Sequence, residues 1–172
     1  MMKACESCGR QIELAATGRP KRFCGQTCRK RASRESQASP FPVALTSRRA
    51  WVRAQGKRPI QVDGSPASCT DPETWASFTA VQSGAGDGFG IMLGDGLGCL
   101  DVDHATDEQI RQVVASTPER ILFVERSMSG DGAHIFIEAD EERGWRRFAG
   151  GVHLERYSRQ RFIRTTGDVI RF

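Results

Sequence analysis

The sequence predicts an α+β protein with a mostly antiparallel sheet, preceded by a small metal-binding module. After residue 48, short apolar segments of strand length outnumber helical patterns, and the two helical patterns lie between them. Near the start of the chain, four cysteines form two close pairs. The 172 residues leave room for one ordinary domain and one small module.

The coarse pattern places the strands and helices in order. A helix is predicted from Asp71 to about Ser83, with Pro72 at its first position and Trp75, Phe78 and Val81 facing inward, and a second helix over Asp107–Ser116. The turn Gly94-Asp95-Gly96 predicts that the strands on either side of it form a hairpin. The predicted strands are Trp51–Arg53, Gly88–Leu93, Leu97–Val102, Ile121–Glu125, Ala133–Glu138, Val152–Tyr157 and Arg161–Thr165.

Three segments follow from composition. Residues 1–34 form the four-cysteine module, residues 35–47 a Ser/Pro-rich linker, and residues 48–172 the α+β domain. The basic residues are unevenly distributed, with nine Lys/Arg against two Glu in residues 1–34, and eleven Arg against eighteen Asp/Glu in residues 61–172. A basic head on an acidic body is typical of a polyanion-binding module joined to a catalytic or cation-binding domain, although a solvated basic tail has the same composition.

The four cysteines have the spacing of a zinc site. Cys5 and Cys8 form C-x2-C, and Cys24 and Cys28 form C-x3-C after a gap of 15 residues. Zinc takes four ligands in a tetrahedron, which two close pairs supply. Two disulfides would need an oxidising compartment, which nothing in the sequence indicates.

The second cysteine pair opens a short predicted helix rich in basic residues. Phosphate contact is predicted there for Arg22, Arg29, Lys30 and Arg31. A structural zinc knuckle or a protein-docking module is the alternative. Cys69 and Cys99 have no close partner in sequence and are expected to be packing residues.

Asp101 and Asp103 end a predicted strand. Residues i and i+2 of a strand point to the same face, so the two carboxylates project together. Their repulsion would be relieved by a divalent cation with oxygen ligands. The alternative is a polar strand end at which Asp103 or His104 caps the next helix.

Two further segments carry polar chemistry. The loop between predicted strands at Glu125–His134 offers hydroxyls, open backbone N–H groups and a histidine, which suit a phosphate cradle; these are Ser127, Ser129, Gly130, Gly132 and His134, with Arg126 beside them. Taken alone, the loop is more typical of a flexible hairpin. The segment Gly151–Gly167 adds the carboxylate of Glu155 and the cations Arg161 and Arg164, and by itself is typical of a charged hairpin.

Taken together in this order, these motifs resemble the archaeo-eukaryotic primase superfamily, and within it the bifunctional primase–polymerase (Prim-Pol) domains of phages and plasmids. The motifs are a strand-end D-x-D, S-x-S-G-x-G-x-H, and a carboxylate-bearing strand before R-F-x-x-T-T-G. The resemblance covers about residues 51–168. It implies an RRM-like antiparallel sheet with flanking helices, which carries the metal site beside a smaller α/β unit.

The resemblance also assigns roles to individual residues. The catalytic residues it implies are Asp101, Asp103, His134 and Glu155, of which the three acids hold two Mg²⁺ or Mn²⁺ ions. The nucleotide-binding motif falls on Ser129–His134. Weaker candidates for triphosphate or template contact are Lys57, Arg161 and Arg164. The third acid of the family is an Asp as often as a Glu, so Asp168 remains an alternative to Glu155.

The expected function is therefore DNA primase or polymerase activity during phage or plasmid replication, by two-metal nucleotidyl transfer from NTP or dNTP. Two alternatives remain open: a non-catalytic single-stranded DNA-binding protein that keeps the fold, and a zinc-finger adaptor. The expected partners are a single-stranded DNA template and nucleotides, with a helicase either supplied as a separate polypeptide or absent. With no apolar span or signal segment, the expected location is the cytoplasm, that of the bacterial host if a phage encodes the protein.

Overall fold

The computed structural model describes residues 2–5, 8–13, 21–30 and 39–172. The chain divides into two compact units, Met1–Ser39 and Pro40–Phe172. In the first unit, strands β1 (Met2–Ala4) and β2 (Gln11–Glu13) pair antiparallel, and residues 26–30 are helical. These elements surround the four cysteines. Arg31 lies outside the described residues, as do residues 35–38 of the predicted linker.

The second unit contains two antiparallel sheets and few helices, which confirms the predicted α+β class. The larger sheet has five strands in the order β7-β8-β6-β10-β9, and the smaller has four in the order β11-β5-β3-β4. The strands are β3 (Trp51–Gln55), β4 (Arg58–Ile60), β5 (Gly88–Leu93), β6 (Leu97–Asp103), β7 (Ile121–Arg126), β8 (Ala133–Glu138), β9 (Trp145–Ala149), β10 (Val152–Tyr157) and β11 (Arg161–Arg164). No helix among the described residues is long and apolar enough to cross a bilayer.

The helices of this unit are short. They are α1 (Val43–Thr46), a 3-10 turn (Pro72–Thr74), α2 (Phe78–Val81) and α3 (Asp107–Ser116). Helix α3 begins at Asp107, as predicted. Its N-cap is Thr106, whose side chain accepts a hydrogen bond from the backbone N–H of Gln109, while the Gln109 side chain accepts one from the backbone N–H of Thr106. Neither Asp103 nor His104 therefore caps this helix. The strand-end carboxylates are thus left for another role.

Two apolar clusters cover the two faces of the larger sheet. On one face, Leu97, Cys99 and Phe136 pack with residues of the smaller sheet, including the fully buried Trp51. On the other face, Leu100, Val102 and Ile135 pack against Ile110 of α3. Because side chains alternate along each strand, the polar residues among them are forced onto the first face near the ends of the strands.

Residues 40–47, which the sequence assigned to a linker, belong instead to the second unit. Phe41 and Leu45 are buried, the ring centroids of Phe41 and Trp51 lie 5.2 Å apart, and the indole N–H of Trp51 donates to the carbonyl of Leu45 at 3.0 Å. The Pro and Ser residues of this segment led to the prediction of a linker, although Phe41 and Leu45 belong to the core.

The predicted helix from Asp71 to Ser83 is wrong as a single helix, because an extended segment divides it into the 3-10 turn and α2. Asp71 does cap that turn, but Trp75 is extended and Ala76 pairs with Trp51 as an isolated bridge. Ser77 then caps α2 by accepting a hydrogen bond from the backbone N–H of Ala80. The backbone bonds to Trp51 outweigh the continued helix that the apolar spacing predicted.

The predicted hairpin around Gly94-Asp95-Gly96 is also wrong beyond its turn. Only Gly94 and Leu97 pair, and the strands then enter different sheets: β5 pairs with β3 and β11, and β6 pairs with β8 and β10. This turn therefore joins the two sheets rather than two neighbouring strands.

Candidate active site

A row of polar residues crosses the larger sheet. Glu125 of β7 lies opposite His134 of β8, His134 opposite Asp101 of β6, Asp101 opposite Glu155 of β10, and Glu155 opposite Arg146 of β9. Residues directly opposite in antiparallel strands share a face, so all five side chains project to one side. The register thus brings together three of the residues that the sequence predicted to be catalytic, and Asp103 lies two positions along β6 on the same face.

A cavity of about 380 Å³ opens over Asp101 and His134 of this row, whereas Glu155 is not among its lining residues. Its lining combines the predicted acids and histidine with cations of β11 and the β3–β4 turn; the polar lining residues are Lys57, Asp101, Asp103, Ser127, Ser129, His134, Arg161 and Arg164. The volume lies within the range typical of small-ligand sites. The structure therefore places at one cavity residues from four separate segments of the sequence.

Asp101 lies in an environment that disfavours its negative charge. Burial raises the pKa of Asp101 above the ordinary aspartate value, and repulsion from Asp103 and Glu155 adds to the rise, while His134 and Arg161 oppose it. A divalent cation among these carboxylates would remove the repulsion and supply the lost solvation. The donor set of Asp101 and Asp103 therefore fits a hard cation such as Mg²⁺ or Mn²⁺.

Glu155 is already engaged in this structure. Its carboxylate lies 2.8 Å from Nε of Arg146 and accepts a hydrogen bond of 2.5 Å from the hydroxyl of Tyr157. Over the described residues, no set of three Asp, Glu or His side chains lies close enough together to hold one ion. The acids of the cavity therefore do not form a closed cation cage by themselves.

The rival acid Asp168 lies elsewhere on the sheet. Its carbonyl accepts a hydrogen bond from the backbone N–H of Arg126 at 2.8 Å, beside β7. Glu155 lies directly opposite Asp101 on the neighbouring strand. The geometry thus favours Glu155 over Asp168 as the third acid.

The structure adds one functional candidate that the sequence analysis missed, Glu125. This side chain is fully buried, and its Oε1 accepts a hydrogen bond of 3.0 Å from Nδ1 of His134. Its Oε2 accepts from the backbone N–H groups of Thr166 and Gly167 at 3.1 and 2.8 Å. Both carboxylate oxygens therefore face donors, and the proton of His134 is held on Nδ1.

Because Nδ1 is held by Glu125, the other ring nitrogen of His134 faces the acids. Nε2 lies 3.8 Å from a carboxylate oxygen of Asp101. Glu125 therefore fixes the orientation of the imidazole and leaves Nε2 at the cavity.

In the Ser/Gly loop between β7 and β8, the serines line the cavity and the glycines meet backbone constraints. Ser127 and Ser129 line the cavity, with their hydroxyls 3.1 Å apart, and Ser129 donates to Asp131. Gly130 has φ of +80°, and a Cβ on Gly132 would lie 2.2 Å from the carbonyl oxygen of Val102. The two glycines therefore have a backbone reason to be glycine, apart from the predicted phosphate contact.

The predicted cations also separate into two groups. Lys57 and Arg161 are exposed at the cavity, with the Arg161 guanidinium 4.4 Å from the ring centroid of Tyr157. Arg164 instead donates to the carbonyl of Gly56 and to Asp87, which holds the turn that carries Lys57. Arg126, expected beside the phosphate cradle, pairs with Asp107 at 2.6 Å, so its charge is compensated there.

In the first unit, the four predicted zinc ligands converge. The sulfur atoms of Cys5, Cys8, Cys24 and Cys28 all lie within 4.8 Å of one another, which is close enough to hold one ion. Hydrogen bonding with Cys28, and then with Cys8 and Cys5, raises the pKa of Cys24 to about 12 when no cation is present. Thiolates bind zinc, so the tetrad fits a structural zinc site. Arg29 and Lys30 are exposed on the helical residues that follow Cys24.

The second unit is thus an α+β domain whose larger antiparallel sheet carries acids beside cations at one cavity. Residues 31–165 match the family described as bifunctional DNA primase/polymerase, N-terminal (Prim-Pol), and because this match spans most of the chain, the protein belongs to that family. Comparison with curated protein sequences finds no significant match. Membership supports DNA primase/polymerase activity in general, with DNA and nucleotides as substrates and divalent metal ions as cofactors.

Proposed function

We propose that the protein is a template-dependent nucleotidyltransferase that makes or extends primers from NTP or dNTP during phage or plasmid DNA replication. The observation that carries the proposal is the polar row with Asp101 and His134 at its centre, under a cavity that also holds Asp103, Lys57 and Arg161. Phosphoryl transfer requires acidic side chains that hold the metal ions and basic side chains that hold the phosphates.

In the proposed reaction, Asp101 and Asp103 hold the divalent ions, and Glu155 joins them when its ion pair with Arg146 opens. Two bound Mg²⁺ or Mn²⁺ ions would activate the attacking 3′-hydroxyl and stabilise the leaving pyrophosphate. Since the acids form no closed cage, oxygen atoms of the triphosphate would complete the coordination. We therefore expect cation and nucleotide to bind together.

The remaining residues of the cavity bind and orient the triphosphate. His134 donates from Nε2 to a phosphate oxygen, and Ser127 and Ser129 add hydroxyl donors. Lys57 and Arg161 neutralise the phosphate charge. No covalent intermediate is required, because positioning and electrostatic stabilisation account for the catalysis.

The test is incorporation of labelled nucleotides on single-stranded templates with and without an annealed primer, with Mg²⁺ and with Mn²⁺. Products that depend on template and metal are expected from the wild type. If the wild type makes no product on any template but binds single-stranded DNA with a steep salt dependence, the protein is a binding module and the proposal is wrong.

Replacing Glu125 by Gln is expected to lower kcat about 10- to 100-fold with little change in KM for the primer–template. A Gln amide satisfies the backbone N–H groups of Thr166 and Gly167 only by turning its NH₂ toward His134. The Nδ1 atom of His134 must then accept rather than donate, which puts the imidazole proton on Nε2, and the hydrogen bond to a carboxylate that orients the ring is lost.

The ¹⁵N shifts of the His134 ring measure this change directly, and Glu138→Gln on the same strand is the matched control. We expect an altered tautomer in Glu125→Gln alone. An unchanged His134 spectrum together with unchanged kcat would show that Glu125 does not position His134.

A further inference from the structure

The polar row is followed by a second row of side chains on the same face of the larger sheet. Asp103 of β6 lies opposite His153 of β10, and His153 lies opposite Phe148 of β9. The rings of Phe148 and His153 are in contact, with their centroids 5.0 Å apart. Neighbouring strands are about 4.8 Å apart, so this row extends from Asp103 to an aromatic pair about 10 Å away at the edge of the sheet.

Phe148 is unusual among the aromatic residues of the second unit. Its exposed fraction is 66%, although most of the large aromatic side chains lie in the core. Phe148 lies on β9, an edge strand of the larger sheet. Its exposed ring, two strands away from Asp103, offers a flat apolar face to a planar partner from outside the chain.

The charge around the aromatic pair indicates the chemistry of that partner. Six of the eleven arginines of residues 61–172 fall within residues 143–161, which contain a single acid, Glu155. Five of these arginines are exposed, and Arg146 among them is paired with Glu155; the exposed ones are Arg143, Arg146, Arg147, Arg159 and Arg161. Exposed aromatic rings among cations are typical of surfaces that bind single-stranded nucleic acid, on which bases stack while cations contact phosphates.

We propose that Phe148 and His153 form a stacking platform for the bases of single-stranded DNA entering or leaving the cavity. The proposal rests on the proposed function, which it deepens by assigning a path for the DNA strand. A strand with its reacting end at Asp101 and Asp103 reaches the aromatic pair within two to three bases, at about 3.4 Å per stacked base.

The test measures binding of a fluorescently labelled single-stranded oligonucleotide by the full chain over a range of salt concentrations. Phe148→Ala is expected to bind roughly 5- to 100-fold more weakly, with the same slope of affinity against salt, because Phe carries no charge. Phe148→Trp should retain wild-type affinity. Phe172→Ala is the matched control, since Phe172 is 53% exposed and contacts Arg111 of α3.

The outcomes separate this inference from the proposed function. If Phe148→Ala binds DNA as tightly as Phe172→Ala does, the platform is wrong, whether or not the wild type incorporates nucleotides. If the wild type incorporates nothing but Phe148→Ala still loses affinity, the platform stands and the catalytic proposal fails. A change of oligomeric state in Phe148→Ala, with DNA affinity unchanged, would assign this edge to contact between copies of the chain and overturn the inference.

Discussion

Replacing Asp101 by Asn is expected to abolish nucleotide incorporation and, at the same time, to raise the thermal stability of the metal-free protein. Asp101 is half-buried, next to Asp103 and Glu155, in a site that raises its pKa. A carboxyl group with a raised pKa in the folded state stabilises the fold below its unfolded pKa, and this contribution is lost as the pH rises. At neutral pH the ionised group therefore costs stability, which Asn does not.

The two effects of this substitution, on the incorporation rate and on the melting temperature, should be measurable separately. Loss of a cation ligand should lower the incorporation rate about a hundredfold or more, whereas the melting temperature of the variant should rise by about 2 °C. Asp63→Asn is the matched control: Asp63 accepts hydrogen bonds from Ser65, which lower its pKa, so this substitution should not stabilise the protein or affect incorporation. A melting temperature of Asp101→Asn well below that of the wild type would instead indicate a structural role for Asp101.

Removing zinc is expected to unfold the first unit while the second stays folded. A segment of this size buries too little apolar surface to be stable alone, so the metal bond energy is its folding energy. Chelation, or the substitution Cys24→Ser, should collapse the amide NMR dispersion of residues 2–5, 8–13 and 21–30. The signals of residues 40–172 should persist, because that unit has its own core.

Zinc content by atomic emission completes this test. Wild type and Cys69→Ser should carry equal zinc, since Cys69 lies outside the cluster, and Cys24→Ser should carry little. A first unit that keeps its amide dispersion without zinc would contradict a metal-dependent fold.

The placement of Asp101 and Asp103 shows where local rules suffice. The i, i+2 alternation predicted that the two carboxylates share a face, and the structure has them at the same cavity. The zinc ligands were predictable for the same reason, because two close cysteine pairs need only one chain reversal to meet.

The pairing of Glu125 with His134 could have been predicted from the sequence, but predicting the strands one at a time did not reveal it. Strands β7 and β8 are joined by the loop 127–132, and a hairpin around this loop puts residue 125 opposite residue 134. The sequence signal for this pair is an acid that follows the apolar run Ile121–Val124 and lies opposite a histidine in the hairpin. The hydrogen bonds from Thr166 and Gly167 come from more than 40 residues away, and no local pattern predicts them.

The errors have a common cause in long-range pairing. The turn at Gly94–Gly96 specifies one bridge, but the partners of β5 and β6 are strands that lie far along the chain. Strand β9 was not predicted at all, because the sequence of Trp145–Ala149 carries two arginines and no apolar alternation. Such an edge strand is held by backbone bonds to β10, and its polarity suits its exposure.

The central claim is that the face carrying Asp101 and Asp103 binds a divalent cation together with a nucleoside triphosphate. Electron paramagnetic resonance of Mn²⁺ tests it directly, with wild type and Asp101→Asn/Asp103→Asn, each with and without a dNTP. We predict that the wild type immobilises Mn²⁺ much more tightly when the dNTP is present and that the double variant loses this bound fraction. Equal Mn²⁺ and dNTP binding by both proteins would contradict the assignment of the active site to this face.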